Sequence, residues 1–351
     1  MPFEFDSRNS LDTKETGIQL NTIRWGMIGC GAVTEVKSGP AFYSVAGSAL
    51  TAVASRNFLS AQDYARRHGV PFVYENVDDL ISAKEVDAVY VATPPESHRE
   101  LALKVARAEK PCCVEKPMAL DHEECLSMVA AFAARGLPLF VSYYRRSLPR
   151  FREVKAWLSQ ELIGQVREVH WHLVKQPTPR DLGGEPNWRT DPRTAPGGYF
   201  SDLASHGIDL FQFLLGDINI ASGIATNQQG LYQAEDAVSA CWKFANGALG
   251  SGSWNFGGDH RKDEVRIIGA KGTISFSVFD EAPLKLRTNG IERSAFIDNP
   301  LHIQTPHVEN MIRHLQTGSP HPSVGMEAAK TNWVMSEILG PRVHGSASAE
   351  G

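Results

Sequence analysis

The sequence predicts an α/β protein with two domains, and three observations support this. A glycine-rich turn follows an apolar segment at residues 23–28, strand-like and helix-like segments then alternate, and short β-like segments joined by tight turns dominate from residue 166 onward. The 351 residues with 42% apolar content suffice for two domains. We expect an N-terminal extension (1–22), a first domain (23–146), a second domain (147–340) and a flexible tail (341–351).

Composition narrows the class of protein. The formal net charge of -5 argues against nucleic-acid binding, which usually requires a strongly basic face. The five cysteines are odd in number and lack CxxC spacing, so we expect reduced thiols and a cytoplasmic location. No apolar run is long enough to span a membrane, and residues 1–22 lack the apolar core of a secretory signal.

The turn after the first strand is typical of a dinucleotide-binding loop in a Rossmann sheet. It consists of small residues: Gly29, Cys30, Gly31, Ala32 and Val33. Glycine at 29 permits a tight turn, and glycine at 31 leaves room for a pyrophosphate at the N-terminus of the next helix. Thr34 replaces the third glycine of the GxGxxG pattern, which weakens the match without destroying it.

The end of the second predicted strand indicates which nicotinamide cofactor is used. Segments 50–54 and 88–92 read as strands and 61–68 as a helix, as a parallel sheet requires. An NAD-binding sheet usually carries an acidic residue after its second strand, whereas this chain has Ser55, Arg56 and Asn57. Because guanidinium suits a 2′-phosphate, we favour NADP(H), with NAD(H) as the alternative. Arg56 could instead be solvated, with Asn57 capping the next helix.

Two further segments reach the carboxyl edge of the predicted sheet, where ligands bind. The first runs from Thr93 and Pro94 to His98, ahead of a predicted helix at 99–109. The alternative interpretation of this segment is an ordinary strand-to-helix connection. The second follows a strand at 111–114 and carries Glu115 and Lys116 before Pro117. A surface salt bridge between Glu115 and Lys116 is the alternative interpretation.

The predicted helix at 202–215 has two faces at helical spacing. Its apolar stripe consists of Leu203, Gly207, Leu210 and Leu214, and its polar stripe of Asp202, Ser205, His206 and Asp209. The polar stripe could simply face water, since Asp and His four residues apart can form a surface pair. The Gly197-Gly198 pair just upstream instead favours close approach to another group.

These residue types suit hydride transfer on a hydroxyl or carbonyl. Oxidation of an alcohol needs a base for the hydroxyl proton, and His206 is the better candidate. Lys116 would stabilise the developing alkoxide, and Asp202 would orient substrate hydroxyls and steady the imidazole. We therefore assign Lys116, His206 and Asp202 as catalytic residues.

Taken together, the motifs resemble those of the Gfo/Idh/MocA oxidoreductase family. They are GCGAVT (29–34), ASRN (54–57), ATPPESH (92–98), VEKPMAL (114–120), WR (188–189) and GGYFSDLASHGID (197–209). Ala204 departs from the common D-x-G-x-H pattern. The resemblance implies a Rossmann domain, an α/β domain with a large, mostly antiparallel open sheet, NAD(P)-dependent chemistry on sugars or polyols, and a cis bond before Pro117.

The resemblance also implies further site residues. Cofactor contacts are expected from the glycine turn, from residues 55–57, and from Thr93, Pro94, His98, Glu115, Lys116, Trp188 and Arg189. Substrate contacts are expected from Lys116, Tyr144, Arg145, Asp202 and His206. Arginines at 145, 146, 150 and 152 could also indicate a phosphorylated or acidic substrate, although a solvated helix face is the preferred interpretation for Arg150 and Arg152.

We expect no catalytic metal, because His170 and His172 have no third ligand at recognisable spacing. Strands are predicted at 166–174, 237–244, 248–254, 265–268 and 273–279, with helices near 308–316 and 325–339. One face of this sheet, with Trp242 and Trp254 as candidate contributors, would be left to pack against a second subunit, so we expect a homo-oligomer.

Two other functions remain open on the sequence alone. A non-catalytic dinucleotide- or sugar-binding sensor could keep the same fold. An NAD-dependent glycosidase or lyase could oxidise its sugar transiently and hold the nucleotide through turnover, whereas a dehydrogenase exchanges it.

Overall fold

The computed structural model describes residues 22–340. The first domain is a six-stranded parallel sheet in the order β3-β2-β1-β4-β5-β6 with helices on both faces. Its strands are β1 (Ile23–Ile28), β2 (Ser48–Ala54), β3 (Phe72–Tyr74), β4 (Ala88–Val91), β5 (Cys112–Val114) and β6 (Leu139–Val141). Its helices are α1 (Ala32–Val36), α2 (Gly39–Ser44), α3 (Phe58–His68), α4 (Val77–Ser82), α5 (His98–Arg107) and α6 (His122–Ala133).

The strand order places β1 and β4 side by side at the centre of the sheet. All four residues of β4 are buried, as expected for a strand covered on both faces. The order reverses between these two strands, and the loops after their carboxyl ends therefore border one crevice. The parallel sheet predicted from the sequence is confirmed.

The second domain contains an eight-stranded sheet in the order β14-β13-β12-β11-β7-β10-β9-β8. Its strands are β7 (Val166–Val174), β8 (Ile218–Thr226), β9 (Ala237–Phe244), β10 (Leu249–Asn255), β11 (Lys262–Gly269), β12 (Gly272–Phe276), β13 (Leu284–Thr288) and β14 (Ile291–Ala295). Only β7 and β10 pair in parallel within this sheet. The mostly antiparallel sheet is confirmed, including the two hairpins between β9 and β10 and between β11 and β12.

Helices cover one face of this large sheet. They are α7 (Pro149–Ser159), α9 (Gly198–Leu215) and α11 (Gly325–Leu339); the short α8 (Pro179–Leu182) follows β7 along the chain. Helix α9 lies close to the strands: a Cβ added at Gly207 would stand 2.2 Å from the Trp171 ring, so glycine permits this contact.

The expectation that Trp242 and Trp254 face a second subunit is wrong. Trp242 stacks on Phe211 of α9 at 6.1 Å, and Trp254 meets Phe200 of the same helix at 5.0 Å. Both indoles are buried on the helix-covered face, because the alternation of β9 and β10 turns their large residues inward.

The last two helices of the chain pack against the first domain. Helix α10 (Thr305–Thr317) places Val308 and Met311 in one core of the parallel sheet, around Trp25 and Phe42. Helix α11 (Gly325–Leu339) packs on α6 and adds Ala328 and Ala329 to the other core. The two domains are therefore joined by packing as well as by the chain.

The predicted extension, except for residue 22, and the predicted tail lie outside the described residues. Within residues 22–340, no helix combines the length and apolarity that a membrane span requires.

Candidate active site

The glycine turn after β1 has the geometry of a phosphate cradle. Gly29 has a φ of 104°, and a Cβ there would lie 2.8 Å from the Ala92 carbonyl oxygen, so only glycine fits. At Gly31 an added Cβ would meet nothing within 4 Å, which leaves open space beside the backbone at the start of α1. Cys30 between them is half-buried.

Thr34 occupies the third position of the glycine pattern without disturbing the turn. Its hydroxyl donates to the Gly31 carbonyl oxygen at 2.8 Å, and its own carbonyl accepts from the Tyr64 hydroxyl at 3.1 Å. The side chain is fully buried. Thr34 therefore ties the cradle to α3.

Residues 55–57 lie at the carboxyl end of β2. Arg56 is exposed. The Asn57 side chain accepts from the Ser60 amide at 3.2 Å and caps α3, as the alternative interpretation of the sequence held for this residue.

His98 lies in the protein interior and does not face a ligand-binding space. Its buried imidazole bonds the Thr93 carbonyl at 2.7 Å and the Pro117 carbonyl at 3.0 Å. Both ring nitrogens are occupied within the protein, so the imidazole is not free to bind a cofactor. His98 instead joins the loop after β4, with Thr93 and half-buried Pro94, to the loop after β5.

Glu115 likewise faces the interior. Its carboxylate accepts from the Tyr90 hydroxyl at 2.6 Å and from the Gln304 amide at 3.1 Å. A second oxygen accepts from the Lys116 amide at 3.1 Å. No surface salt bridge with Lys116 forms. The peptide bond between Lys116 and Pro117 is cis.

Lys116 and Asp202 meet across the two domains. The ammonium donates to the Asp202 carboxylate at 2.6 Å and to its carbonyl oxygen at 2.9 Å. An ammonium has three donors, so one remains for another oxygen. Burial alone would raise the pKa of Asp202, but the charges of Lys116 and Arg189 lower it to about 2. Asp202 is therefore a fixed anion that holds the lysine in place.

His206 lies one helical turn beyond Asp202 on α9. Its imidazole is buried against the rings of Tyr144 (5.5 Å) and Phe279 (5.9 Å). Burial, followed by the positive charges of Arg145, Lys116 and Lys37, holds its pKa well below the usual range. The imidazole is thus a neutral proton acceptor at neutral pH.

The structure does not show Asp202 steadying this imidazole. The Asp202 carboxylate is engaged by Lys116 and by Arg189, whose Nε lies 3.1 Å away. Within the described part of the chain, Nδ1 of His206 has no hydrogen-bond partner. The polar stripe of α9 is also not a solvated face, because Ser205, His206 and Asp209 are all buried.

The arginines after β6 have separate environments. Arg146 forms a buried ion pair with Asp209 at 2.7 Å, and Arg145 lies over Tyr144 and Phe279. Arg150 is buried and donates to the carbonyls of residues 280 and 282, so the solvated face expected for it is wrong. Arg152 is exposed, as expected.

A cavity of about 630 Å³ opens beside Asp202. Residues of both domains line it, among them Pro117, Trp188 and Met335. Trp188 stacks under the Arg189 guanidinium at 4.3 Å, and Arg189 in turn binds Asp202. The predicted Trp188-Arg189 pair is therefore brought to the same crevice as Lys116 and Asp202.

Sequence reasoning missed two contributors. Phe279, beyond β12, supplies a ring to both His206 and Arg145. Lys175, just after β7, places its ammonium 5.9 Å from the Tyr199 ring centre of α9. Neither residue lies in a recognisable motif, so no sequence signal indicated them.

His170 contacts Ser251 and Glu168 on the outer side of the large sheet. Within residues 22–340, no group of three or more His, Cys, Asp or Glu side chains could hold a metal ion.

A dinucleotide cradle opposite a lysine, an aspartate and a histidine defines a nicotinamide-dependent oxidoreductase, and comparison with known proteins agrees. Residues 23–143 match the oxidoreductase family with an NAD-binding Rossmann fold, and residues 151–275 match the Gfo/Idh/MocA C-terminal domain. The chain belongs to the Gfo/Idh/MocA family of NAD(P)-dependent oxidoreductases.

Curated relatives and a solved structure resemble the chain over most of its length. Oxidoreductase P35 of Formosa agariphila is 39% identical over 91% of this chain and 98% of its own. Inositol 2-dehydrogenase of Rhizobium meliloti is 30% identical over 72% of this chain and 75% of its own. The aldose-aldose oxidoreductase of Caulobacter crescentus, solved with glycerol, covers 90% of this chain and 96% of its own, with a TM-score of 0.80 and 22% identity.

Proposed function

We propose that the protein transfers a hydride between NADP or NAD and a CH–OH or carbonyl carbon of a sugar, polyol or related compound. The observation that carries this proposal is the Lys116–Asp202 ion pair at 2.6 Å, with buried His206 one turn further along α9. This arrangement would supply an ammonium with one unused donor and a neutral imidazole for proton handling.

The residues around the crevice fit a bound dinucleotide. The open space at Gly31 suits a pyrophosphate, which the backbone of residues 29–33 would hold. The loops that His98 joins, with Thr93, Pro94 and Lys116, would border the nicotinamide end, together with Trp188 and Arg189. Bound NAD(P) would supply the hydride acceptor at the nicotinamide ring.

NADP(H) is the proposed cofactor, with NAD(H) as the alternative. Exposed Arg56 follows β2, where a 2′-phosphate would lie, and no acidic residue occupies positions 55–57. A guanidinium can bind phosphate oxygens with two donors.

The protein residues would handle the proton. In the oxidation direction, His206 accepts the hydroxyl proton, because it is neutral and lies one helical turn from Asp202, which binds Lys116. Lys116 donates that third N–H to the developing alkoxide and stabilises its charge. Asp202 keeps the ammonium in position through two contacts.

The space beside the ion pair suits a polyhydroxylated substrate. The cavity of about 630 Å³ is bordered by Ser201, Asp202 and Asn332, whose oxygens and amide can bind hydroxyl groups. The relative named inositol 2-dehydrogenase supports sugars and polyols as the class to test.

The proposal is tested by incubating purified protein with NADP or NAD and a panel of aldoses, polyols, inositols and keto sugars. We expect the absorbance at 340 nm to show net formation or consumption of NAD(P)H in an amount roughly equal to the substrate converted. A nucleotide that stays bound and shows no net change while the sugar is cleaved would favour the transient-oxidation lyase instead.

We also propose that the uncovered face of the large sheet packs against a second subunit. Ile220, Ile224 and Leu249 are 58%, 78% and 54% exposed on this face. Ile220 and Leu249 lie on either side of exposed Lys243 across β8, β9 and β10, so the apolar residues of this face are near one another with one charge between them. Light scattering should give an oligomeric mass, and Ile224→Asp should reduce it; a monomeric mass for the unaltered protein would reject the proposal.

A further inference from the structure

Arg145 is a buried cation whose donors are not all used. The residue is 5% exposed, and its Nε donates to the Val278 carbonyl at 2.9 Å. Its guanidinium lies 4.9 Å from the Tyr144 ring centre and 4.6 Å from that of Phe279. Nη1 is buried without a hydrogen-bond partner. A donor left in this state costs free energy unless a ligand supplies the acceptor.

No carboxylate of residues 22–340 forms an ion pair with Arg145. Two other arginines of the site do have such partners. Arg146 pairs with Asp209 at 2.7 Å, and Arg189 pairs with Asp202 at 3.1 Å. A buried charge is normally paired, because removing it from water is expensive. Arg145 therefore lacks the counter-charge that Arg146 and Arg189 have. Arg150, a third buried arginine, donates instead to two backbone carbonyls.

The unpaired guanidinium lies beside the reacting groups. His206 contacts the same two rings as Arg145, those of Tyr144 and Phe279. Among the charges that act on His206, Arg145 is the strongest. A ligand oxygen that reaches His206 would therefore leave the rest of a small molecule close to Arg145.

The carboxylates near the site are already engaged by other groups. Lys116 and Arg189 share Asp202, and Glu115 accepts from Tyr90, Gln304 and the Lys116 amide. Half-buried Lys175 has Asp202 and buried Asp181 among the charges that act on it. The attraction for an anion therefore rests on Arg145, with which no carboxylate of residues 22–340 forms an ion pair.

We propose that the substrate carries a carboxylate, as sugar acids do, and that Arg145 binds this group beside the CH–OH carbon that reacts. This inference rests on the proposed function and names its substrate class. With Nε bound to Val278, the opposite edge of the guanidinium presents two coplanar donors, and a carboxylate offers two coplanar oxygens to them.

The bound carboxylate would also assist the base. Positive charges around His206 make the imidazole a weaker proton acceptor. An anion on Arg145 offsets the strongest of these charges, so it raises the proton affinity of His206 towards the range that suits a general base. Acidic substrates gain in turnover as well as in binding.

The test compares one sugar in three forms: the neutral aldose, its carboxylate (aldonic or uronic acid) and its phosphate ester. We expect kcat/KM for the carboxylate to exceed that for the neutral sugar about 10-fold or more. Equal or better turnover of the neutral sugar would overturn the inference while leaving the oxidoreductase proposal intact. A higher kcat/KM for the phosphate ester would also overturn the inference, because the preferred group would then be a tetrahedral oxyanion and not a carboxylate.

A binding measurement tests the inference about the carboxylate independently of hydride transfer. Titration of a sugar acid into the protein with NADPH bound should give saturable binding even if turnover is absent, and the neutral sugar should bind more weakly. If no sugar in any form changes the cofactor, the proposed function fails, whereas the binding preference still decides the inference.

Variants assign the preference to Arg145. Arg145→Gln should lower the ratio of kcat/KM for acid over neutral sugar about 10-fold, whereas Arg152→Gln, at an exposed position of α7, should leave that ratio unchanged. An unchanged ratio in Arg145→Gln would overturn the assignment. If circular dichroism shows that this variant does not fold, Arg145→Lys is used instead, because it keeps the charge but not the planar pair of donors. An unchanged ratio in Arg145→Lys would likewise contradict a two-donor contact.

Discussion

The ammonium of Lys116 donates both to the carboxylate and to the backbone carbonyl of Asp202, at 2.6 and 2.9 Å. One residue follows β5 of the first domain, and the other lies in the first turns of α9 of the second. The active crevice is therefore held together by a contact between its own functional groups.

Removal of the lysine charge should abolish most of the activity. Lys116→Ala loses the donor to the alkoxide and leaves Asp202 with Arg189 alone, so kcat should fall on the order of 100-fold or more. Steady-state NAD(P)H kinetics measure the effect. Lys84→Ala, at an exposed position, is the control and should keep the original kcat. Similar turnover in both variants would refute the role of Lys116.

The pH dependence of kcat/KM should reflect the low pKa of His206. Burial and then Arg145, Lys116 and Lys37 lower this pKa, so the neutral base form persists as pH falls below 6.5 and is lost only when pH passes the lowered value. The acid limb of kcat/KM should lie well below pH 6.5, and His206→Asn should remove it with a large loss of rate. A limb at or above pH 6.5 that survives in His206→Asn would contradict the assignment.

Cofactor preference should depend on Arg56. Replacing Arg56 by Asp puts a negative charge where the 2′-phosphate would bind, so the ratio of kcat/KM for NADP over NAD should fall about 10-fold or more. Arg66→Asp, on exposed α3, is the matched control because its side chain is 76% exposed. A ratio that changes equally in both variants would point to general charge repulsion instead.

The buried pair Arg146–Asp209 should contribute strongly to stability. Arg146→Met leaves Asp209 buried without a counter-charge, and we expect the free energy of unfolding to fall by about 3–5 kcal/mol. Urea unfolding measures this loss. The exposed pair of Arg66 and Asp63 provides the comparison, since Arg66→Ala should cost less than about 1 kcal/mol.

Many strands were predictable from the sequence, whereas β3, β8, β13 and β14 were not. The apolar run of β4 and the alternation of β7 indicate strands directly. Strand β3 has β-favouring residues but only three of them, too few to show a period, and β14 is mainly exposed and lacks an apolar pattern. The predicted helix at 202–215 starts four residues late because the glycine at its N-terminus conceals the first turn.

The residues of the site were more predictable than their contacts. Lys116, Asp202 and His206 lie in motifs that suit the proposed chemistry, so the sequence was enough to select them as candidates. The pairing of Lys116 with Asp202 joins positions 86 residues apart, and the contact of Arg145 with Phe279 also depends on how the two domains meet. Such contacts are set by tertiary packing, which local sequence patterns do not encode.

The return of α10 and α11 to the parallel sheet affects how the chain can fold during synthesis. Val308 and Met311 complete the apolar interior around Trp25, yet they leave the ribosome after almost all of the second domain. Until then the nascent first domain has an uncovered apolar side. It is a site where a chaperone could bind, and folding of the nucleotide-binding half should finish only after α10 and α11 have been synthesised.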